Sequence, residues 1–556
     1  MVSDGDLGDL LARALPTGAE LTVRHVSSTP APCAALFAAA PGQNPESTFC
    51  ESHFLTVSID SPKDDHAEII VFGMEVLVYN TAHLTTIFVS KADSTGFLHL
   101  LKLPQKVSVL RVISHTFLSY LARTHQRPGV RLVVSLFARA QNQYLFPGSI
   151  ENAEKHVLDD RGLIKWWCRA VDPILREHET ESVSQDTKPL DQTVEAAQAS
   201  ATAYLIVPGC DRFETRSFFP PTAKSDTRDR PRWLASYPLH QMCHDPTAPP
   251  RCLVPRLPDD PKTRFLVDLD DELPEPAEGE GAPPSTGQWR SVRSLDQFWE
   301  MMSFRQECSA GRLVGFLWLV INPPGLMNST TMASQTGKPG ITSQSADSGR
   351  NPQPSPEEPP QKESDQSKPK EGSAATTTHP TAAPETCTRP DLPTPPYFDH
   401  PPASTSDGPN TTALSTDSSP FSWPEAGRGQ VVLNGTDYKK VMDVVLDHFY
   451  DEKDIVASTK SYVDEVASLA DQLTWGRRVV GAHTPEKTES QPVAANNFLD
   501  SGLIRKRKKS EGEGDKPSSD ASSAQPGGAD NTQPVPPQPA AVNVLNASLV
   551  RKKKKT

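Results

Sequence analysis

The sequence predicts an α/β fold, a central mixed sheet flanked by helices. Strand-like apolar runs recur at residues 54–59, 68–79, 85–89 and 131–137. Helical spacing interrupts them, most plainly through Val109, Ile113, Phe117 and Leu121. Turn chemistry divides them, as where Pro62 and the charged Lys63-Asp64-Asp65 part the first two strands.

The elements follow in order. Residues 4–15 form a short amphipathic helix, with Leu7, Leu10, Leu11 and Leu15 on one face and Pro16 ending it. Residues 160–176 read as a helix with Trp167 and Ile174 on or near one face. Residues 177–200 are polar and weakly patterned, a surface excursion, and 204–219 return to the domain. A helix at 295–304 precedes a strand at 313–321. From Pro323 to about Trp423 the chain is rich in Ser, Thr, Pro and Gln. It cannot bury enough surface to offset ordering entropy, so disorder is expected. Order is expected to resume at Gly429, with helices at 438–450 and 454–475 carried by Val441, Val445, Ile455, Val463, Val466 and Leu473. Two helices that short are marginal alone and should dock on the first domain. The organisation is thus a domain at 1–322, a disordered insertion at 323–428, a helical pair at 429–481 completing the domain, and a disordered tail at 482–556.

Composition narrows the class. Pro is 54 of 556 residues, about twice ordinary usage, so the chain is not globular throughout. A net charge of -13 argues against a protein that binds nucleic acid along its whole length, and no sequence-specific DNA contact is expected. Positive charge gathers instead at Arg505-Lys506-Arg507-Lys508-Lys509 and Arg551-Lys552-Lys553-Lys554-Lys555. These clusters suit nuclear import or an acidic partner, or simply solubilise a tail. The chain opens without a secretory apolar region, and its eight Cys contain no CxxC pair. A cytosolic or nuclear protein with reduced thiols is expected. The most apolar run, 313–321, is too short to span a membrane. Cys243, His244 and Cys252 fit no standard zinc spacing, so no metal is expected.

Several segments carry candidate chemistry. Ser90-Lys91-Ala92-Asp93-Ser94-Thr95-Gly96 follows the 85–89 strand, where a rigid element can present a polar loop. Asp259-Asp260 lies between Pro258 and Pro261. Adjacent carboxylates can raise one pKa and supply a base, although a solvated turn or a helix cap uses the same residues. Lys262 reads as solvated or paired with those aspartates, and Asp93 as a turn former. Tyr144 and Trp166-Trp167 are core aromatics on the plainest reading. Lys91, Arg139 and Lys155 could meet an anion.

Four segments in order resemble one known family: the one at 90–96; Gln143-Tyr144-Leu145-Phe146-Pro147; Lys155-His156-Val157-Leu158 with Lys165-Trp166-Trp167; and Pro258-Asp259-Asp260-Pro261-Lys262-Thr263-Arg264-Phe265. The chain is similar here to the fungal histone acetyltransferase family first named as a regulator of Ty1 transposition, whose fold is the CBP-type acetyltransferase fold. The resemblance covers most of 1–322 and about 429–510. It implies acetyl transfer from acetyl-CoA, without a metal, to lysines of newly synthesised histone H3 bound with H4. It implies histone chaperones of the nucleosome-assembly-protein and anti-silencing types, a nuclear location, and roles in replication-coupled nucleosome assembly and the DNA damage response. It makes Asp260 the acid/base beside Asp259, and Lys262 a self-acetylated lysine. Asp93 joins Ala92, Ser94, Phe137, Gln141, His156, Val157, Leu158 and Trp166 in the acetyl-CoA pocket, and is also a second catalytic candidate. Tyr144 and Trp167 line a substrate-lysine tunnel. One departure stands out. Between Gly96 and Arg131 the chain is shorter than the family pattern, and 98–104 looks foreign there. That departure supports the alternative of a catalytically weak or inactive chromatin scaffold with the same fold.

Overall fold

The computed structural model describes residues 5–62, 64–103, 107–180, 199–243, 245–273, 287–305, 308, 311–324 and 420–484. The expected excursion within 181–198, most of the expected insertion, and the tail with its basic clusters lie outside the described residues. So does His244.

In chain order, α1 (Leu7–Ala14) leads to β1 (Glu20–Ser28), β2 (Ala31–Cys33), β3 (Thr48–Ser61), β4 (Asp64–Asn80) and β5 (Leu84–Ser94). Then come α2 (Val109–Thr124), β6 (Arg131–Ala138), α3 (Asp160–Arg176), β7 (Ser200–Ile206), α4 (Arg212–Arg216), β8 (Trp233–Leu234), α5 (Leu239–Met242), α6 (Pro261–Asp270), α7 (Leu295–Met302) and β9 (Gly315–Asn322). The returning segment supplies β10 (Val431–Leu433), α8 (Gly435–Asp447), α9 (Ile455–Leu469) and β11 (Arg477–Val480).

Among the described residues the strands form one 11-stranded sheet, ordered β10-β1-β3-β4-β5-β6-β9-β7-β8, with β11 also on β1 and β2 on β3. It is mixed as expected. Pairs β1–β10, β5–β6 and β7–β8 are parallel, while β3–β4 and β6–β9 are antiparallel.

The continuous apolar runs of the sequence have a direct cause, because this sheet is covered on both faces. Side chains alternate between two cores. Leu132, Val134 and Leu136 of β6 enter one core, with Leu11, Phe117, Ile174 and Val441 from the helices. Val133 and Phe137 enter the other, with Phe265 and Leu266 of α6 and Phe298 of α7. The 98–103 stretch is fitted to the fold. Phe97–Leu100 form a 3-10 turn, and Leu98, Leu100, Leu101 and Leu103 pack partly buried on the first core.

Four expectations change. β1 and β2 were not legible as strands, because β1 buries Arg24, His25 and Ser27. Their main partners lie within the fold, as where Arg24 donates to Glu68 from both terminal guanidinium nitrogens. The strand at 85–89 continues to Ser94, so Ala92, Asp93 and Ser94 are strand residues rather than a loop. Described structure resumes at 420, ahead of the expected boundary at Gly429. The last helix ends at Leu469, and Leu473 lies beyond it, almost fully exposed.

The helical pair packs on the sheet. Ile70 N–H donates to Thr459 Oγ1 at 3.0 Å, and Thr56 Oγ1 donates to the Tyr462 hydroxyl at 3.2 Å. β10 and β11 both pair with β1, so the end of the domain is stitched to its beginning. Among the described residues no helix is long and apolar enough to cross a membrane.

Candidate active site

The site begins where α6 starts. Asp259 has φ 57, a left-handed conformation that aspartate tolerates better than most residues. This turn sends neighbouring carboxylates in opposite directions. Asp260 goes inward and becomes the N-cap of α6, accepting from Lys262 N–H at 2.9 Å. Pro261 follows at the first helical position, where its missing N–H costs nothing. Asp259 stays near the surface and pairs with Lys91 Nζ at 2.9 Å.

Asp260 Oδ2 also holds the Lys262 ammonium, and both side chains are only 1% exposed. Nζ lies 4.2 Å from the Phe316 ring centroid and 5.7 Å from that of Trp318, so two β9 aromatics cradle the charge. Burial holds the Lys262 pKa below the ordinary lysine range, although Asp260 pulls it upward. A charge taken out of water is costly, so this pair depends on its geometry.

β5 ties this cluster to a second one. Lys91 Nζ binds Glu75 Oε2 at 3.1 Å as well as Asp259. Burial disfavours the Lys91 charge, but Glu75 and then Asp259 outweigh it and hold the pKa above its usual value. Two residues on, Asp93 accepts from Tyr144 N–H at 2.6 Å and Leu145 N–H at 3.1 Å. Its other oxygen accepts from Ser94 N–H at 2.8 Å and Lys155 Nζ at 3.0 Å. A carboxylate with four donors is committed to them. Asp93 fastens the 144–145 backbone to β5, and this geometry does not suit the proton-accepting role also considered for it.

Tyr144 is thereby positioned, and its hydroxyl donates to Arg139 O at 2.6 Å. Burial raises its pKa, so it remains a neutral phenol. Beside it opens a polar cavity of about 510 Å³, lined by Arg139, Ala140, Gln141, Asn142, Gln143, Val157, Asp159, Asp160 and Arg312. Asp159 caps α3, accepting from Gly162 N–H. Asp160 accepts from Ala140 N–H at 3.1 Å and binds Arg312 Nε at 3.0 Å, which joins the two lips of the cavity.

The remaining candidates divide. Gln141 and Val157 line the cavity, and Val157 is flanked by an exposed His156 and a half-buried Leu158. Phe137 lies in the second core, its ring stacked 6.3 Å from Phe88. Ala92 and Ser94 hold β5 against β4. Trp167 is a core residue, its ring meeting that of Trp166 edge-on at 4.9 Å. Of the three basic residues considered for an anion, only Arg139 lines the cavity. Lys91 is paired as above, and Lys155 is spent on Asp93 and on Ser149 Oγ at 2.6 Å. The two cysteines of the rejected zinc spacing donate to carbonyls, Cys243 to Leu253 O and Cys252 to Ala39 O.

The sequence did not disclose Glu75, Arg312, Phe316 or Trp318. Each acts through a long-range contact, and the alternation of β9 was the one available signal, since it puts Phe316 and Trp318 on the same face.

Comparison with known proteins places the fold in a family. The family description "Histone acetyltransferase KAT11-type domain" matches residues 7–131 and 127–465. "Histone acetyltransferase rtt109" of Aspergillus flavus is 56% identical over 591 residues, covering 99% of this chain and 99% of that protein. The protein of the same name from Schizosaccharomyces pombe is 31% identical over 314 residues, covering 56% of this chain and 70% of its own length. The crystal structure of Rtt109 from Aspergillus fumigatus matches with a TM-score of 0.67 at 56% identity, covering 86% of this chain and 100% of that one. With a family match over most of its length and a like fold, the chain belongs to the KAT11-type histone acetyltransferase family.

Proposed function

We propose that this acetyltransferase moves the acetyl group of acetyl-CoA to lysines of newly synthesised histone H3, with Asp260 as proton acceptor. Family membership supplies the reaction class. The buried Asp260–Lys262 pair, at the end of a helix and beside a strand-borne ion-pair cluster, is the observation that carries the residue assignment.

The chemistry makes simple demands. A lysine amine must lose a proton from a pKa near 10.4 before its nitrogen can attack the thioester carbonyl. The new C–N bond forms, the C–S bond breaks, and coenzyme A leaves as the thiol. The amine's proton passes to a carboxylate directly or through water. A carboxylate locked to an ammonium is a weak acceptor, since the neighbouring charge stabilises its ionised form. Acetylation of Lys262 would replace that ammonium with a neutral amide. Asp260 would then no longer share its carboxylate with a cation, which frees it to meet the substrate amine. In this reading self-modification precedes full activity.

The residues present fit acetyl-CoA as substrate. Arg139 and Arg312 line the cavity and offer guanidinium donors to phosphates, and Tyr144 adjoins it through Arg139. Gln141, His156, Val157 and Leu158 belong to its walls or edges. Asp93 acts behind them by holding the 144–145 backbone, and Ala92 and Ser94 by pairing β5 with β4. H4 bound with H3, chaperones of the nucleosome-assembly-protein and anti-silencing types, a nuclear location, and work in replication-coupled assembly and DNA damage response complete the proposal.

The test is direct. Purified full chain is incubated with acetyl-CoA and H3–H4, with and without each chaperone, and acetylated lysines are read by mass spectrometry. Chaperone-stimulated acetylation of H3 supports the reading. Tight acetyl-CoA binding without turnover supports the scaffold alternative instead.

A further inference from the structure

A second buried polar cluster lies outside the chemistry described above. Glu51 and His53 stand two apart on β3 and therefore share a face. His125, the residue that caps the C-terminal end of α2, reaches them across the core. All three side chains are 1% exposed. His125 Nε2 is 2.6 Å from Glu51 Oε1, and His53 Nε2 is 3.6 Å from the same oxygen. One ligand atom from each residue falls within 4.8 Å of the others.

The outer atoms are as telling as the inner ones. His125 Nδ1 is held by Leu121 O at 2.9 Å. His53 Nδ1 meets His25 Nε2 at 3.0 Å. Each ring is thus fixed from behind, with its Nε2 turned toward Glu51. His53 Nε2 is fully buried and has no hydrogen-bond partner. A buried nitrogen rarely goes unsatisfied, and an orphan aimed into a carboxylate–imidazole cluster points to a ligand. Metal-bound histidines characteristically donate their second ring nitrogen to a carbonyl or another acceptor, as both rings can do here.

We propose that Glu51, His53 and His125 form a structural site for a divalent cation of the zinc class. Two imidazoles and one carboxylate are a borderline-soft donor set suited to that ion. Ligation uses both Nε2 lone pairs and one Glu51 oxygen, and it releases the proton that otherwise joins His125 to Glu51. The sequence reading expected no metal because it weighed only the closely spaced Cys243, His244 and Cys252. Here the fold brings together ligands far apart in the chain.

The location gives the ion a task. Gly427 packs so tightly on His125 that a Cβ there would sit 2.6 Å from Cε1. Just beyond it, Gly429 N–H donates to Ser27 Oγ at 2.9 Å, where the returning segment joins β1. An ion at this point would clamp β3, the end of α2 and the closing segment together, away from the acetyl-transfer chemistry.

The test uses the full chain, untagged and purified without chelators. Elemental analysis is expected to find roughly one zinc per chain, and the cobalt-exchanged protein should show the visible absorption of a low-coordinate site. Chelation should lower the melting temperature, and added zinc should restore it. His53→Ala and His125→Ala should each lose the metal, while Cys252→Ala keeps it. Wild-type protein that holds less than about a tenth of an equivalent after zinc exposure, with no change in melting on chelation, overturns the proposal. So does full metal content in folded His53→Ala and His125→Ala variants. Because the wild-type measurements stand alone, a variant that fails to fold does not shelter the idea.

Discussion

The Lys262 ammonium closes on the Asp260 carboxylate with the Phe316 ring centroid 4.2 Å from its nitrogen. Both side chains are 1% exposed at the start of α6, which makes the pair a costly one. The pair links the state of Lys262 to the basicity of Asp260, and that link generates the first prediction.

Self-acetylation of Lys262 should depend on pH in a characteristic way. Burial lowers the Lys262 pKa, so its neutral, nucleophilic form is reached at lower pH than for a free lysine. The rate of Lys262 acetylation should therefore rise with pH and level off below the ordinary range near 10.4. Quenched-flow mass spectrometry across pH 6.5–9.5 reads this. Equal modification of wild type and Asp260→Asn would mark chemical acetylation and refute self-modification.

Asp93→Asn should act on the fold and, through it, on turnover. The substitution removes a charge from a carboxylate that accepts from Tyr144, Leu145, Ser94 and Lys155. A loss of about 1–3 kcal/mol is expected from donors left poorly paired. Turnover should fall with it, and the proton-acceptor signature in the pH profile should remain. Chemical denaturation and a pH–rate profile check both parts. Unchanged stability would contradict the positioning role.

Trp167→Ala should destabilise the domain by about 3–5 kcal/mol, as for a large core aromatic. Trp167 is 6% exposed among the core side chains, so truncation leaves a cavity. Trp167→Phe retains most of the packing and isolates any catalytic part. A near-normal melting temperature for Trp167→Ala would contradict the core role.

Arg139→Ala and Arg312→Ala should each weaken acetyl-CoA binding by roughly tenfold, the worth of one charge-assisted contact. Turnover at saturating acetyl-CoA should change little. Calorimetric titration and the split between KM and kcat decide the matter. Full affinity in both variants would place the phosphates elsewhere.

Much of the architecture was legible because a sheet covered on both faces writes itself as apolar runs. Val133 and Val134 point to different cores, yet both must be apolar. α3 was legible to its ends, since Asp159 and Asp160 start it and the Trp167–Ile174 face fills it. β1 was hidden because its buried residues include Arg24 and His25, whose partners Glu68 and His53 are visible only in three dimensions. The site followed the same divide. Asp260 and Lys262 are adjacent in sequence and could be paired on paper. Arg312 could not be assigned, because its partner Asp160 is 152 residues away. The extent of β5 was misjudged for a related reason. Ser90, Lys91 and Asp93 are polar, but Glu75, Asp259 and Tyr144 satisfy them where they lie.

The central claim is that Asp260 takes the proton during acetyl transfer to H3. Asparagine caps a helix as well as aspartate, so Asp260→Asn keeps the start of α6 while removing the base. The measurement is the single-turnover rate of acetylation of H3–H4, followed from pH 7 to 9, for wild type and Asp260→Asn at saturating acetyl-CoA. The account predicts a loss of roughly 10²-fold or more, with acetyl-CoA affinity preserved. A folded Asp260→Asn enzyme with near-normal rates across that range would contradict it.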